Sequence, residues 1–141
     1  MRQPAVRIVE VSPRDGLQAL ERNVPTAVKI ELIQRLANTG LQHIETTSFT
    51  SPRWISQLAD HEKIAEAVRQ MRTPSITYSV LVPNLKGLLA AGKAGAKEVG
   101  VFVSATEGFS QKNNNCSVSE SLARAKTVTV QAAKLGIAVR G

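Results

Sequence analysis

The chain has 141 residues, 43% of them hydrophobic and 21% charged, and its net charge is +7. This length and composition favour one folded domain over a disordered chain, and the single cysteine, Cys116, excludes an internal disulfide. No apolar stretch approaches the roughly 18 residues of a membrane span, and the N-terminus lacks the apolar run of a secretion signal. We therefore expect a cytoplasmic protein without a membrane partner.

The positive charge is distributed over several predicted helices. No run of five basic residues occurs, and only five aromatic side chains are available for base stacking. We predict no nucleic-acid partner. An anionic small substrate would suit the same excess of charge.

Apolar runs alternate with helical patterns along the whole chain. Four strands are expected over residues 6–11, 43–49, 75–82 and 97–104, and a fifth begins within 137–141. Helices are expected to start at the capping residues Thr26, Asp60, Asn84 and Ser117 and to end at Gly40, Gly95 and Gly136. The polar segment 105–116 is expected to be a loop over the mouth of the sheet.

This order indicates α/β architecture. Connections of a dozen residues or more between successive strands require parallel pairing with right-handed crossovers. No GxGxxG motif follows the first strand, and polar side chains gather just after the strand ends, as on the active-site face of a (β/α)₈ barrel. Since such a barrel needs about 250 residues, we expect 1–141 to be the N-terminal half of one TIM-barrel catalytic domain, with about four βα units and the start of strand five.

Arg14 and Asp15 lie side by side between Pro13 and Gly16, directly after the first predicted strand. A carboxylate at the mouth of a barrel suits a hard divalent cation, and a guanidinium suits a substrate carboxylate or a developing oxyanion. From spacing alone, a plain Asp-Gly turn with a solvated arginine is the favoured interpretation of this segment.

Glu45 lies inside the second predicted strand. Strand alternation predicts that Glu45, Thr47 and Phe49 share one face, and a glutamate that points into the barrel could pair with Arg14. An ordinary polar strand face is the alternative. Glu10 in the first strand raises the same question.

Five segments together resemble one family along Val6 to Gly141: VEVSPRDGLQ, GLQHIETTSFTSPRW, VLVPNLKG, AGAKEVGVFVSATEGFSQKNNNCS and the final VRG. They resemble 3-hydroxy-3-methylglutaryl-CoA (HMG-CoA) lyases, within the wider group of metal-dependent TIM-barrel lyases and acyltransferases. The resemblance implies cleavage of an acyl-CoA substrate, HMG-CoA, to acetyl-CoA and acetoacetate, with Mg²⁺ or Mn²⁺ as cofactor. It also implies a homo-oligomeric full-length protein.

Carried over by position, the resemblance makes Asp15 a metal ligand and Arg14 the residue that contacts the substrate and stabilises the enolate. Glu45 supports this pair and is counted with Arg14 as catalytic, and Gln18 joins Arg14 in binding substrate. The sequence departs from many members at 19–20, where Ala-Leu replaces Asn-Glu. The family's other metal ligands have no counterpart in this chain, so we expect the chain alone to be inactive.

Two alternatives stay open from the sequence. The Arg-Asp and Glu positions are shared with Claisen-type acyltransferases such as isopropylmalate and homocitrate synthases, which form carbon–carbon bonds. A non-catalytic folding or interaction module is the other alternative.

Overall fold

Four parallel strands form one sheet in which the spatial order is the chain order. The computed structural model describes residues 6–71 and 73–141, and its parallel sheet confirms the predicted α/β fold class. The strands are β1 (His43–Ser48), β2 (Thr77–Leu81), β3 (Glu98–Gly100) and β4 (Ala138–Arg140), and the helices are α1 (Thr26–Ala37), α2 (His61–Gln70), α3 (Leu85–Lys93), α4 (Glu107–Asn114) and α5 (Val118–Lys134).

One face of the sheet packs against the helices and forms the hydrophobic core. Val80 of β2, Val82 just after it and Val99 of β3 meet Leu88 of α3 and Val128 of α5 there. Fully burying each such side chain contributes about 1.5–3 kcal/mol. The other face is therefore left for polar side chains. Across the described ranges, no helix combines the length and the apolar character needed to cross a bilayer.

The first predicted strand is much shorter than expected. Over residues 6–11, Glu10 forms the one β-bridge, which pairs it with Ile44. The Glu10 amide donates to the His43 carbonyl at 3.0 Å, and the Glu10 carbonyl accepts from the Glu45 amide at 2.8 Å. The prediction over 6–11 is wrong in extent because β-branched residues favour a strand only where they have neighbours to pack on. The side chain of Ile8 is exposed instead.

Two predicted helix caps are confirmed. The Asn84 side chain accepts the Gly87 amide at 3.0 Å. Ser117 accepts the Glu120 amide at 3.1 Å, and the Glu120 carboxylate accepts the Ser117 amide at 2.8 Å, which completes a capping box. Both caps use residues three apart, so the local sequence is sufficient to predict them.

The other two predicted caps are wrong. Pro25 precedes α1, and Thr26 is already helical. Asp60 precedes α2 without capping it. Instead, the Thr26 hydroxyl donates to the Asp60 carboxylate at 2.7 Å, and the Lys29 ammonium donates to the same group at 2.9 Å. A contact between distant segments has replaced two local ones.

The segment predicted as a loop over the mouth contains α4, so that prediction is wrong. Thr106 caps the helix by accepting the Phe109 amide at 3.4 Å. Asn115, with φ of 49°, ends it in the left-handed conformation. These start and stop signals outweigh the low helix propensity of the asparagine run.

A bulge in β1 overturns the predicted alternation. The register with β2 shifts between Glu45 and Thr47, which leaves Thr46 without a partner in the ladder. The inserted residue exchanges the faces of all residues after it. Phe49 consequently packs in the core, whereas Glu45 points to the opposite face of the sheet.

A buried lysine ties α1 to the segment before α2. The Lys29 ammonium donates to the Gln57 carbonyl and to the Asp60 carboxylate. Gln57 in turn accepts the Val24 amide at 2.9 Å and donates to the Arg22 carbonyl at 2.8 Å. This cluster fixes the connection between the Arg14–Asp15 turn and α1.

We expect Lys29→Met to lower the free energy of unfolding by about 3 kcal/mol, because it leaves the Asp60 carboxylate and a buried carbonyl without their cation. Urea denaturation measures this change. The exposed Lys63→Met on α2 is the matched control and should change stability by less than about 0.5 kcal/mol. Equal effects of the two substitutions would contradict the stabilising role of Lys29.

Candidate active site

The Arg-Asp pair lies on a single wide helical turn, Ser12–Gly16. The Val11 carbonyl accepts the amides of Asp15 at 2.7 Å and Gly16 at 3.4 Å. The second of these bonds spans five residues, which is the π-type geometry often found at functional sites. Pro13 is buried at the start of the turn, where a missing N–H costs nothing.

Glu10 holds the start of this turn. Its carboxylate accepts the Ser12 amide at 2.7 Å. The backbone and side-chain hydrogen bonds from Ser12 lower the pKa of Glu10 below its usual range. Sequence reasoning raised the possibility of pairing for Glu10 without finding this partner.

The structure brings Arg14, Asp15 and Glu45 together. Nε of Arg14 donates to Oε1 of Glu45 at 2.5 Å, and its Nη1 donates to Oδ1 of Asp15 at 2.6 Å. Within the described residues, Nη2 of Arg14 has no hydrogen-bond partner. The guanidinium therefore has two of its nitrogens held by carboxylates and its third nitrogen, Nη2, left to donate to an anion.

Exposure increases along this set from the sheet toward solvent. The side chain of Glu45 is 1% exposed, that of Arg14 is 16% and that of Asp15 is 62%. A buried carboxylate is stable only when it is paired, so Glu45 requires its arginine. Asp15 can still reach a ligand in solution.

Arg140 and Gly100 complete the set, and sequence reasoning missed both. Nη2 of Arg140 in β4 hydrogen-bonds Oε2 of Glu45. A Cβ on Gly100 would lie 3.1 Å from that same oxygen, so the glycine makes space for the contact. The signal in the sequence was a charged residue inside the last apolar run, but only the sheet order shows that it reaches Glu45.

Gln18, predicted to bind substrate, is exposed beyond the turn and lies outside this hydrogen-bonded set. The predicted metal ligand Asp15 fits Mg²⁺ or Mn²⁺ as a single oxygen ligand. In the part of the chain that the structure describes, no group of three or more His, Cys, Asp or Glu side chains is placed to hold a metal ion. These residues alone do not form a metal centre.

Known proteins resemble this chain over nearly its whole length. A family model described as HMGL-like matches residues 5–141. The chain is 52% identical to chicken mitochondrial hydroxymethylglutaryl-CoA lyase and 53% identical to zebrafish cytoplasmic 3-hydroxy-3-methylglutaryl-CoA lyase, covering 96% of this chain and 45% and 40% of those proteins. The chain thus spans less than half the length of these relatives.

Solved structures show the same likeness. The HMG-CoA lyase from Brucella melitensis superposes with a TM-score of 0.91 at 50% identity, over 96% of this chain and 47% of that one. An HMG-CoA lyase from Acinetobacter baumannii, in complex with coenzyme A and 3-methylmalate, superposes with a TM-score of 0.87 at 36% identity, over 94% and 43%.

We expect the Glu10–Ser12 contact to stabilise the fold only while Glu10 is ionised. Because the pKa of Glu10 is lowered on folding, this contribution is present above the ordinary glutamate range and is lost as the pH falls through the lowered value. Glu10→Gln should therefore cost about 1 kcal/mol near neutral pH, since the carboxylate is partly solvated, and progressively less in acid. Urea denaturation of both proteins across pH measures the difference, and a difference that grows on acidification would contradict this account.

Proposed function

The chain belongs to the HMGL-like family, and on this basis we propose that it supplies the Arg14–Asp15–Glu45 part of an active site that cleaves HMG-CoA to acetyl-CoA and acetoacetate. One observation carries the proposal. A guanidinium held by a buried glutamate and an exposed aspartate keeps its Nη2 without a partner among the described residues, at the mouth of a parallel sheet. This is where a (β/α)₈ barrel carries out its chemistry.

The reaction needs a cation beside the thioester. The C3 hydroxyl of HMG-CoA loses its proton, and the C2–C3 bond breaks as the C3 oxygen becomes the ketone of acetoacetate. The electron pair of that bond moves onto C2 and the thioester oxygen, forming the enolate of acetyl-CoA, which takes up a proton at C2. Arg14 is the group that meets the negative oxygen, and a preformed donor of this kind accelerates such a step by about 10²–10³.

Each neighbour has a separate task in this proposal. Glu45 touches Arg14 and acts through it, because a carboxylate with 1% exposure is closed to substrate. Asp15 would contribute one ligand to Mg²⁺ or Mn²⁺, a cation that supplies Lewis-acid charge to the substrate oxygens when bound. Gln18 would contact substrate from the exposed side of the turn.

The acyl-CoA substrate is part of the same proposal, supported by the names of the relatives and by the coenzyme A bound to the Acinetobacter lyase. We propose further that residues 1–141 form the first half of a (β/α)₈ barrel. The parallel sheet in chain order and the 47% coverage of the Brucella lyase support this organisation. Homo-oligomeric assembly, cytoplasmic location and the lack of a nucleic-acid partner stay predictions from the sequence.

A fusion of residues 1–141 with the part of the Brucella lyase that the match does not cover tests the activity. We expect it to cleave HMG-CoA with release of acetoacetate, and Arg14→Gln to lower kcat by about 10²–10³. Arg35→Gln, which removes an exposed arginine paired with Glu31 on α1, is the control and should leave kcat unchanged. A folded fusion that instead consumes acetyl-CoA and a 2-oxo acid with thiol release would support a Claisen-type acyltransferase.

The 141-residue chain alone should release no acetoacetate from HMG-CoA with Mg²⁺, since one carboxylate oxygen is too few ligands to hold the ion. A coupled assay of acetoacetate over hours measures this. Sustained turnover that disappears in Arg14→Gln would show that the chain carries a complete site.

A further inference from the structure

The buried carboxylate of Glu45 is shared by two arginines from opposite ends of the sheet. Oε1 accepts from Nε of Arg14, in the turn that follows Glu10 beside β1, and Oε2 accepts from Nη2 of Arg140 in β4. Arg140 lies 95 residues from Glu45 in the chain. Each oxygen therefore has its own cationic partner.

Two partners fix the orientation of the Glu45 carboxylate, which a single partner would leave free to rotate. The terminal torsion of a glutamate has a broad, roughly two-fold profile, so a carboxylate with one partner can turn and offer either oxygen. With Oε2 held by Arg140, Oε1 has one direction left, and the Nε–H of Arg14 must meet it there. The plane of the Arg14 guanidinium, and hence the direction of its free Nη2, follows from the contact at β4.

Space for this contact depends on Gly100. A Cβ at this position would lie 3.1 Å from Oε2 of Glu45 and 3.3 Å from Nη2 of Arg140, closer than most real Cβ contacts. The φ of Gly100 is not positive, so the backbone does not demand glycine. The requirement is room for the ion pair.

The sharing also sets the charge balance of the site. Arg14 and Arg140 carry two positive charges, Glu45 carries one negative charge, and the Asp15 carboxylate, 62% exposed and paired with Nη1 of Arg14, carries the second. Nε of Arg140 is buried and has no hydrogen-bond partner among the described residues. Glu45 therefore orients Arg14 while Nη2 of Arg14 keeps no partner among the described residues, and a donor fixed in this way can stabilise a developing anion.

We propose that Arg140 is a positioning residue, which fixes the Arg14 guanidinium through Glu45, and that Gly100 keeps the space in which it does so. The geometric part of this inference stands on the contacts alone. Its consequence for catalysis rests on the function proposed above.

Nuclear magnetic resonance of the arginine side chains tests the geometry on the 141-residue chain itself. The Nε–H signal of Arg14, identified by its absence in Arg14→Lys, should be shifted downfield and slow to exchange, because it donates to a buried carboxylate. In Arg140→Met the Nε–H should exchange faster and its signal should broaden, because the carboxylate can then turn, while the backbone spectrum stays folded. An Arg14 signal with unchanged exchange and linewidth in folded Arg140→Met overturns the proposal.

Gly100→Ala is the second variant. If Arg140→Met does not fold, Gly100→Ala tests whether the Glu45–Arg140 contact fixes the Arg14 guanidinium. It retains every charge and should displace the Glu45–Arg140 contact, with the same faster exchange and broadening of the Arg14 signal. Gly108→Ala on α4, where a Cβ would meet nothing within 4 Å, and Arg35→Met, which removes an exposed ion pair, are the matched controls. Both should leave the Arg14 signal as it is.

The Brucella fusion separates this inference from the proposed function. Arg140→Met should lower kcat by about 10–100-fold, the loss typical when the partner of a functional group is removed, with little change in KM. A fusion that never cleaves HMG-CoA, together with a broadened Arg14 signal in the Arg140→Met chain, would refute the lyase assignment and leave the positioning role in place. Full activity of the Arg140→Met fusion would refute the catalytic consequence.

Discussion

The carboxylate of Glu45 is the interaction on which the rest of the site depends. It is buried, so it must be paired, and its partners come from the turn that carries Arg14 and from the strand that carries Arg140. Removing either arginine would leave a charge in an environment that penalises it. The same contacts therefore serve two purposes. Arg14 and Arg140 compensate the buried charge of Glu45, and Glu45 in turn fixes the orientation of the Arg14 guanidinium.

The bulge in β1 explains how one strand serves both faces of the sheet. Before Thr46 the strand presents Glu45 to the polar face, and after it Phe49 enters the hydrophobic core. An unbroken alternation would have placed the phenylalanine on the same face as Glu45. The same insertion therefore preserves the apolar packing against the helices and keeps the site polar.

Local signals in the sequence were sufficient for much of the fold. The glycines Gly40, Gly95 and Gly136 adopt positive φ just after helices, and the Ser117 capping box depends on residues three apart. Contacts between distant segments were not predictable in this way. Thr26 and Asp60 each resemble a cap, and only their meeting across 34 residues shows that they bind one another. The Arg14–Glu45 pair was predictable from the placement of the two charges. The contact of Arg140 with Glu45, beside Gly100, was not, because it depends on the order of the strands in the sheet.

The separation of Arg140 from Glu45 also bears on how the chain matures on the ribosome. Synthesis proceeds at about 5–20 residues per second, and Glu45 leaves the exit tunnel seconds before its partner in β4. During that interval the carboxylate of Glu45 has only Arg14 as a cationic partner. Arrival of β4 then gives Oε2 of Glu45 its second arginine, which makes the Arg14–Glu45–Arg140 set one of the last parts of the described chain to become native.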